Sequence, residues 1–354
     1  MPRIINIAPA VPNNRIDQKL AVDFVCNLFS NSPLDIERLL PVFMNTCIEE
    51  RYSCATLEWF KKNHSFHEKN RLYVENAIAL CEKAILSALR QTDIAPQRVG
   101  HIFFVSTTGV ATPSIDAHLF NKIDFSSSIR RTPIWGLGCA GGISGIARAA
   151  DWLKAYPDQI ALVVTVELCT LTFIRNDLSK SNFIAASLFG DGAGAVLLCG
   201  DECPISADRT ISIIASDAVT WKESLDVMGW EVNDDGLKVL FSKDIPSIVH
   251  KSAKPIIVDF LARNDLQLAD ISAFLSHPGG AKVIQAYQTA LALPEEKTKY
   301  MWEVLQKFGN MSSATVLFVL DKFLKSDDYL PGKKLLSCSL GPGFSSEMIL
   351  GVCA

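Results

Sequence analysis

Residues 101–107, HIFFVST, form a short apolar run that ends in polar residues, and a similar run recurs at residues 272–277, SAFLSH. A run of this length between polar residues is typical of a strand buried on both faces. A helical stretch and a second apolar run follow each of them. These are residues 141–155 and 160–167 in the first half, and residues 310–323 and 334–340 in the second.

The spacing of these two units favours a duplication. His277 follows Thr107 by 170 positions, and Asn310 follows Cys139 by 171. Both units end in a Gly-x-Gly turn before a further apolar run, although the first holds about twenty extra residues near Thr170–Ala186. Strand–helix–strand order at similar spacing also arises in unrelated α/β proteins, so coincidence remains an alternative. If the duplication is real, the four named residues face one another across a pseudo-twofold axis.

The composition is that of a globular protein with a large core. The chain has 354 residues, of which 49% are hydrophobic and 20% charged. A net charge of −4 without Lys/Arg-rich runs argues against nucleic acid as a main partner. The apolar runs are too short to span a bilayer and the start of the chain lacks a signal-peptide pattern, so we expect a cytoplasmic protein. The first hundred residues are predicted to be mostly helical, in Asp17–Phe29, Ile36–Ile48 and Leu72–Arg90.

Cys139 differs from the other nine cysteines. Those nine are scattered, without a CxxC pair, and are interpreted as buried reduced thiols. Cys139 lies between glycines in Trp135–Gly145, WGLGCAGGISG, a pattern that predicts a tight turn entering a helix. At a helix N-terminus the dipole lowers a thiol pKa and favours the nucleophilic thiolate. A structural cysteine is the alternative interpretation.

A second interpretation concerns the same glycines. Gly136, Gly138 and Gly141 spell GxGxxG, the dinucleotide-binding pattern, and Glu167 follows Gly141 by 26 residues. The usual spacing to the ribose-binding acid is about 20 residues, and a lone GxGxxG is a weak signal. A NAD-dependent oxidoreductase is therefore the first alternative.

His277 and Asn310 complete a possible catalytic group. His277 ends a predicted strand in FLSHPGG, and Asn310 precedes a predicted helix in FGNMSS. A surface turn explains the histidine equally well, and a helix cap explains the asparagine. Taken together with Cys139 they supply a nucleophile, a base and an amide donor, a set that can carry out acyl transfer.

These motifs resemble those of type III polyketide synthases, the chalcone-synthase-like branch of the thiolase superfamily. The resemblance covers nearly the whole chain. Ketoacyl-ACP synthases, another alternative, share the Cys–His–Asn set, but their histidine is followed by Gln-Ala-Asn and not by Pro-Gly-Gly. The motifs are TTGVATPSIDA at 107–117, GCAGG at 138–142, SLFGDGAG at 187–194, GLKVLFSKDIP at 236–246, HPGG at 277–280, GNMS at 309–312 and GPG at 341–343.

The resemblance implies an α/β thiolase fold with duplicated halves in a five-layered αβαβα arrangement. Residues 1–204 would form the half that carries the cysteine, and residues 205–354 the half that carries His277 and Asn310. Cys139 would take an acyl group from acyl-CoA, and His277 would hold it as thiolate. His277 and Asn310 would stabilise the enolate formed from malonyl-CoA. CoA thioesters would be the substrates of a homodimer that needs no metal and no cofactor.

The resemblance also suggests which residues bind substrate. Phe189 matches a gatekeeper between the CoA tunnel and the cavity, and Val239 stands where plant enzymes carry a second gatekeeper, Phe. The smaller Val239 would widen the cavity and favour fatty acyl starters. The shorter chain and the GCAGG motif resemble bacterial members of the family that form pyrone or resorcinol products. A non-catalytic acyl-binding member of the superfamily is a further alternative. The other expected contacts are Thr172 and Trp230 at the cavity, Thr107, Gly279, Gly280, Pro342 and Gly343 around the site, Thr112 reaching into the partner's pocket, and Arg38 at the CoA phosphates.

Overall fold

The computed structural model describes residues 1–30, 35, 40–242 and 245–354. The strands are β1 Arg3–Ala10, β2 Asn14–Asp17, β3 Glu50–Ser53, β4 Val99–Val105, β5 Arg130–Ile134, β6 Ile160–Leu168, β7 Asp191–Cys199, β8 Ile211–Thr220, β9 Met228–Asn233, β10 Gly236–Phe241, β11 Ile271–Phe274, β12 Lys334–Gly341 and β13 Ser345–Cys353. The helices are α1 Gln18–Phe29, α2 Pro41–Met44, α3 Leu57–Phe60, α4 Phe66–Thr92, α5 Ile115–Phe120, α6 Gly141–Ala155, α7 Lys180–Leu188, α8 Ile245–Ala262, α9 Ala281–Leu291, α10 Lys299–Phe308 and α11 Thr315–Leu324.

The strand order confirms the predicted duplication. Nine strands form a continuous sheet in the order β11-β12-β13-β8-β1-β7-β6-β4-β5. In the first half β1, β7 and β6 pair antiparallel in turn, and β6 pairs parallel with β4. In the second half β8, β13 and β12 pair antiparallel in turn, and β12 pairs parallel with β11. The halves meet where β1 pairs antiparallel with β8, and only the first half has the extra edge strand β5.

Helices complete the five layers. In the middle layer, α6 packs on β4 and β6 of the first half and on β12 and β13 of the second, while α11 packs on α6, β1 and β7. Because α6 lies between the two halves of this sheet, Gly, Ala and Ser replace larger residues along much of its length. Helix α4 covers the outer face of the first half through β7, β1 and β6. Helices α8 and α9 lie against each other on the second half, where the Tyr287 ring packs 5.1 Å from that of Phe274.

The N-terminal prediction is partly wrong. Helices α1 and α4 confirm two of the predicted helices, and α4 starts with a capping box between Ser65 and Glu68. In contrast, β1 lies near the centre of the sheet, where we expected no strand. Its sequence, RIINIAPA, contains Pro9, which is tolerated because β8 pairs only with Arg3 and Ile4 and leaves that edge free further along. Of the predicted helix over 36–48, residues 36–39 lie outside the described residues, and the rest holds only the single turn α2.

The extra stretch of the first half builds one wall of the site. Between β6 and β7 the chain forms a 3₁₀ turn at Cys169–Thr172 and then helix α7. The equivalent connection in the second half, from β12 to β13, is a short turn. The β9–β10 hairpin follows β8, with Trp230 opposite Val239 in its register. The predicted boundary between residues 204 and 205 falls in the segment that connects β7 with β8.

Candidate active site

Cys139 lies in a 3₁₀ turn, Gly138–Ala140, that leads directly into α6, as the glycine pattern predicts. Gly138 has a φ of +46°, and its N–H donates to Thr107 Oγ1 over 3.1 Å. A Cβ atom on Gly138 would lie 2.6 Å from Pro342 Cδ, so only glycine lets this turn approach the second half. The equivalent turn of the second half, Ser312–Ala314, leads into α11.

The Cys139 thiol is half-buried and donates to Ser312 Oγ over 3.6 Å. Burial raises its pKa to about 12. Burial thus acts on this pKa in the direction opposite to the expected effect of the helix N-terminus.

His277 follows β11, and its backbone N–H donates to Cys338 O over 3.0 Å. Its side chain is 5% exposed, and both ring nitrogens are buried without a hydrogen-bond partner among the described residues. Burial lowers its pKa to about 3. The role of His277 in holding Cys139 as a thiolate stays a prediction from the resemblance. An unpartnered buried imidazole can instead bind a polar group of a ligand.

Two contacts fix the carboxamide of Asn310. Its Oδ1 accepts the Ser312 backbone N–H over 2.8 Å, and its Nδ2 donates to Gly279 O over 3.0 Å. An amide NH₂ has two hydrogens, so one remains available for a substrate oxygen. Gly279 is also close to His277, because a Cβ atom on it would lie 3.6 Å from His277 Nε2.

These contacts bring the three predicted residues to one place. A continuous path runs from the Cys139 thiol through Ser312, Asn310 and Gly279 to the ring of His277. Ser312, which the sequence interpretation did not single out, thus links the thiol to Asn310. Ser313, rather than Asn310, occupies the place equivalent to Cys139, since each lies two residues before its helix.

Glu167 is expected from the sequence only as a ribose-binding acid, and the structure gives it another place in the site. Its carboxylate is fully buried and accepts from the Thr107 backbone N–H, the Thr108 hydroxyl and the Ser313 hydroxyl, over 3.0, 2.8 and 2.6 Å. Burial raises its pKa to about 7. The acid thus joins the ends of β4 and β6 to the turn that precedes α11. Its place near the end of the apolar strand β6, where a charge is unexpected, was the available signal.

The expected gatekeepers share one apolar cluster. The Phe189 ring lies 6.0 Å from that of Trp230 and 5.7 Å from that of Phe241, and Val239 is 2% exposed within the cluster. Gly190 N–H donates to Asn310 O over 3.0 Å, which places the Phe189 backbone beside the candidate active site. Because Trp230 and Phe241 pack on Phe189, the small Val239 does not by itself leave this wall open.

An apolar pocket lies beside this cluster. It has an empty volume of about 510 Å³, part of it open to solvent. Thr172, whose hydroxyl donates to Cys169 O over 2.7 Å, lines it together with Phe189 and Arg51. Its other walls come from β2, α1, α3 and α7. They consist of Ile16, Ala21, Phe24, Val25, Leu57, Phe60, Cys169, Thr170, Phe173, Ala185 and Ala186.

The remaining predicted residues fall in different places. Gly280 follows Gly279 in the loop that enters α9, and Pro342 and Gly343 lie in the turn that packs on Gly138. Thr112 is exposed in a surface loop, away from these contacts. Arg38 lies outside the described residues.

Two of the GxGxxG glycines, Gly138 and Gly141, serve close packing between the halves. Gly138 lies against Pro342, and a Cβ atom on Gly141 would lie 2.5 Å from Val105 Cγ1 and 3.3 Å from Ser313 Cβ. The backbone at this turn therefore faces protein, where a dinucleotide site would present it to a pyrophosphate.

Within residues 1–30, 35, 40–242 and 245–354, no helix combines the length and apolar character required to cross a bilayer.

Comparison with known proteins agrees with this geometry. Two family models match, the N-terminal domain of chalcone and stilbene synthases over residues 2–202 and the C-terminal domain over residues 216–351. A putative chalcone synthase of Bacillus subtilis (strain 168) is 45% identical over 98% of this chain and 97% of its own length. The alpha-pyrone synthesis polyketide synthase-like Pks18 of Mycobacterium tuberculosis (strain CDC 1551 / Oshkosh) is 26% identical over 98% of this chain and 90% of its own.

A solved structure extends the agreement to three dimensions. The 1,3,6,8-tetrahydroxynaphthalene synthase of Streptomyces coelicolor A3(2), a bacterial type III polyketide synthase, superposes with a TM-score of 0.93. It is 25% identical, and the match covers 99% of this chain and 98% of that one. The chain therefore belongs to the chalcone and stilbene synthase family and is a type III polyketide synthase, an acyltransferase that condenses malonyl-CoA units.

Proposed function

We propose that this enzyme loads an acyl-CoA starter on Cys139, extends it with malonyl-CoA and cyclises the product to a pyrone or resorcinol. The path from the Cys139 thiol through Ser312 and Asn310 to His277 is the observation that carries the proposal. It places a nucleophile, an imidazole and an amide donor around one space.

In the loading step, the Cys139 sulfur attacks the thioester carbonyl of the starter. Burial favours the neutral forms of both Cys139 and His277, and in this proposal His277 accepts the thiol proton as the sulfur attacks. The proton leaves with the departing CoA thiolate. The starter then remains on Cys139 as a thioester.

In the extension step, malonyl-CoA loses CO₂ and leaves an enolate. A neutral imidazole N–H of His277 and the free Asn310 N–H donate to the enolate oxygen. The enolate carbon then attacks the Cys139 thioester carbonyl, expels the Cys139 thiolate and forms a β-ketoacyl-CoA. The thiolate takes up a proton from solvent and becomes a thiol again. Return of that chain to Cys139 allows the next round. No step draws on a metal or a redox cofactor.

A fatty acyl group is the proposed starter. The apolar pocket beside Phe189 and Thr172 supports this choice, because its lining is almost entirely apolar. The name of the related alpha-pyrone synthesis protein supports a pyrone product.

The first experiment supplies purified enzyme with malonyl-CoA and a starter series from acetyl-CoA to long-chain acyl-CoA, together with benzoyl-CoA. Mass spectrometry identifies the products. We expect long-chain starters to give the most product. Equal or better use of benzoyl-CoA would contradict the fatty acyl assignment, and absence of CO₂ release would contradict the condensation.

Replacing Cys139 with alanine tests the nucleophile. Cys139→Ala is expected to abolish covalent loading, because no other residue takes the acyl group, and intact-protein mass spectrometry measures this. Cys81→Ala, which removes a fully buried thiol from α4, is the matched control and should still load. Acylation that persists in Cys139→Ala would eliminate Cys139 as the nucleophile.

A further inference from the structure

The first turn of α4 contains a buried cation, Lys69, that the proposed chemistry does not use. Its side chain is 6% exposed among the packed residues. Its Nζ donates to Phe173 O and to Asp235 O, each over 2.8 Å. The two acceptors are backbone carbonyls of segments more than sixty residues apart in the chain.

Both of those segments contact the region of the apolar pocket, one directly and one through Phe189. Phe173 directly follows Thr172 and lines the apolar pocket. Asp235 lies at the tip of the β9–β10 hairpin, whose strands carry Trp230 and Val239 to the cluster around Phe189, itself a lining residue. One ammonium group therefore joins the loop that lines the pocket to the hairpin that packs on Phe189.

The hairpin tip has few other connections to α4. Phe66 N–H donates to Asp234 O over 3.1 Å, and Asn233 Oδ1 accepts the N–H groups of Asp235 and Gly236 within the turn. A Cβ atom on Gly236 would lie 3.5 Å from Lys69 Cδ and Nζ, so the lysine stem lies directly against the turn. Lys69 thus supplies both packing and two charge-assisted hydrogen bonds at this contact.

Burial of a lysine ammonium is unfavourable, and it lowers the pKa of Lys69 to about 8 despite the nearby Asp235. An apolar residue could fill this space without the unfavourable burial of a charge. The two hydrogen bonds of the Lys69 ammonium group indicate a different role, which is to hold the Phe173 and Asp235 backbones in place.

We infer that Lys69 is a positioning residue that fixes the β9–β10 hairpin against the loop after Thr172 and thereby sets how many malonyl units the cavity admits. The inference about the number of malonyl units rests on the proposed function. The inference that Lys69 attaches the hairpin does not depend on that function.

The test compares Lys69→Met with Lys62→Met, the same change at an exposed lysine nearby in the chain. Hydrogen exchange reports on residues 228–241, and mass spectrometry reports on acyl loading and on the ratio of products with different numbers of malonyl units. In Lys69→Met we expect the hairpin amides to exchange faster and the product ratio to shift, each by about fivefold, with loading nearly unchanged. Lys62→Met should match the unmodified enzyme in all three.

Two further variants separate positioning from general stability. Lys69→Arg keeps N–H donors and should restore the product ratio, and Asp235→Asn should have little effect because Lys69 uses the backbone carbonyl. If Lys69→Met does not fold, Lys69→Gln replaces it in both measurements. Unchanged hairpin exchange, or equal loss of loading and extension at a constant product ratio, would overturn the inference. An enzyme that makes no polyketide would refute the proposed function but leave the exchange result intact.

Discussion

Burial favours the neutral forms of the Cys139 thiol and the His277 imidazole, since it raises the pKa of one and lowers that of the other. An ion pair at this buried site would have to be stabilised without water. In the proposed mechanism the substrate supplies the missing partner, because the thioester carbonyl becomes negative as the sulfur attacks. The unpartnered nitrogens of His277 and the free N–H of Asn310 are available to it at that moment.

Glu167 leads to a prediction on pH. Its pKa of about 7 lies above the ordinary value of 4.5, so the folded state binds a proton between these values that the unfolded state does not. The stabilisation of the folded state by this proton is therefore fully present below pH 4.5 and is lost as the pH rises to 7. In the unmodified enzyme the loss lowers the free energy of unfolding by an amount on the order of 3 kcal/mol between these pH values. In Glu167→Gln this decrease should be absent.

Urea unfolding at pH 5 and pH 7.5 measures this difference. The comparison of the variant with the unmodified enzyme is needed because Asp191, whose pKa burial raises to about 6, changes stability in the same direction. An identical pH dependence in both proteins would show that Glu167 is already ionised at pH 5.

Among the elements, α1 and α7 form much of the apolar pocket that we propose for the acyl chain. Ala21 in α1 and Ala185 and Ala186 in α7 line the apolar pocket with the smallest side chains available for a helix, which leaves room between the two helices. The aromatic side chains around the pocket pack against one another; for example, the ring centroids of Phe24 and Phe173 are 6.4 Å apart. An alkyl chain in this space would extend away from Thr172.

Filling the pocket tests this arrangement. Ala21→Phe is expected to reduce kcat/KM for long-chain acyl-CoA about tenfold, because a ring occupies the space of several methylenes, while acetyl-CoA is used as before. Leu20→Phe, at an exposed position of the same helix, is the control. A uniform decrease for all starters would place the alkyl chain elsewhere.

For the whole molecule, one surface leaves apolar side chains exposed beside an edge strand. Strand β5 is at the edge of the sheet, and Trp135 just after it is 54% exposed, with Val110 at 44%. Trp135 Nε1 donates to Gly109 O over 3.0 Å, so the ring is held in its exposed position. An exposed edge strand with apolar neighbours favours association, and the exposed Thr112 lies close by in sequence.

We therefore expect a homodimer through this surface. Trp135→Glu should shift the protein toward the monomer in sedimentation experiments, because a charge replaces an apolar contact. Leu225→Glu provides the control, since Leu225 is 83% exposed in the second half. A dimer unaffected by Trp135→Glu would locate the interface elsewhere.

Much of this protein follows from its sequence alone. The strand–turn–helix around Cys139, the duplicated halves and the Cys–His–Asn set depend on local patterns of apolar residues and glycines, and these act over a few residues. Tertiary structure decided the rest. Burial and contacts between distant segments determine four features: the raised pKa of the Cys139 thiol, the links through Ser312 and Glu167, the central place of β1, and the contact of Lys69 with the hairpin. Desolvation and packing arise only when those segments meet, so no local pattern specifies them.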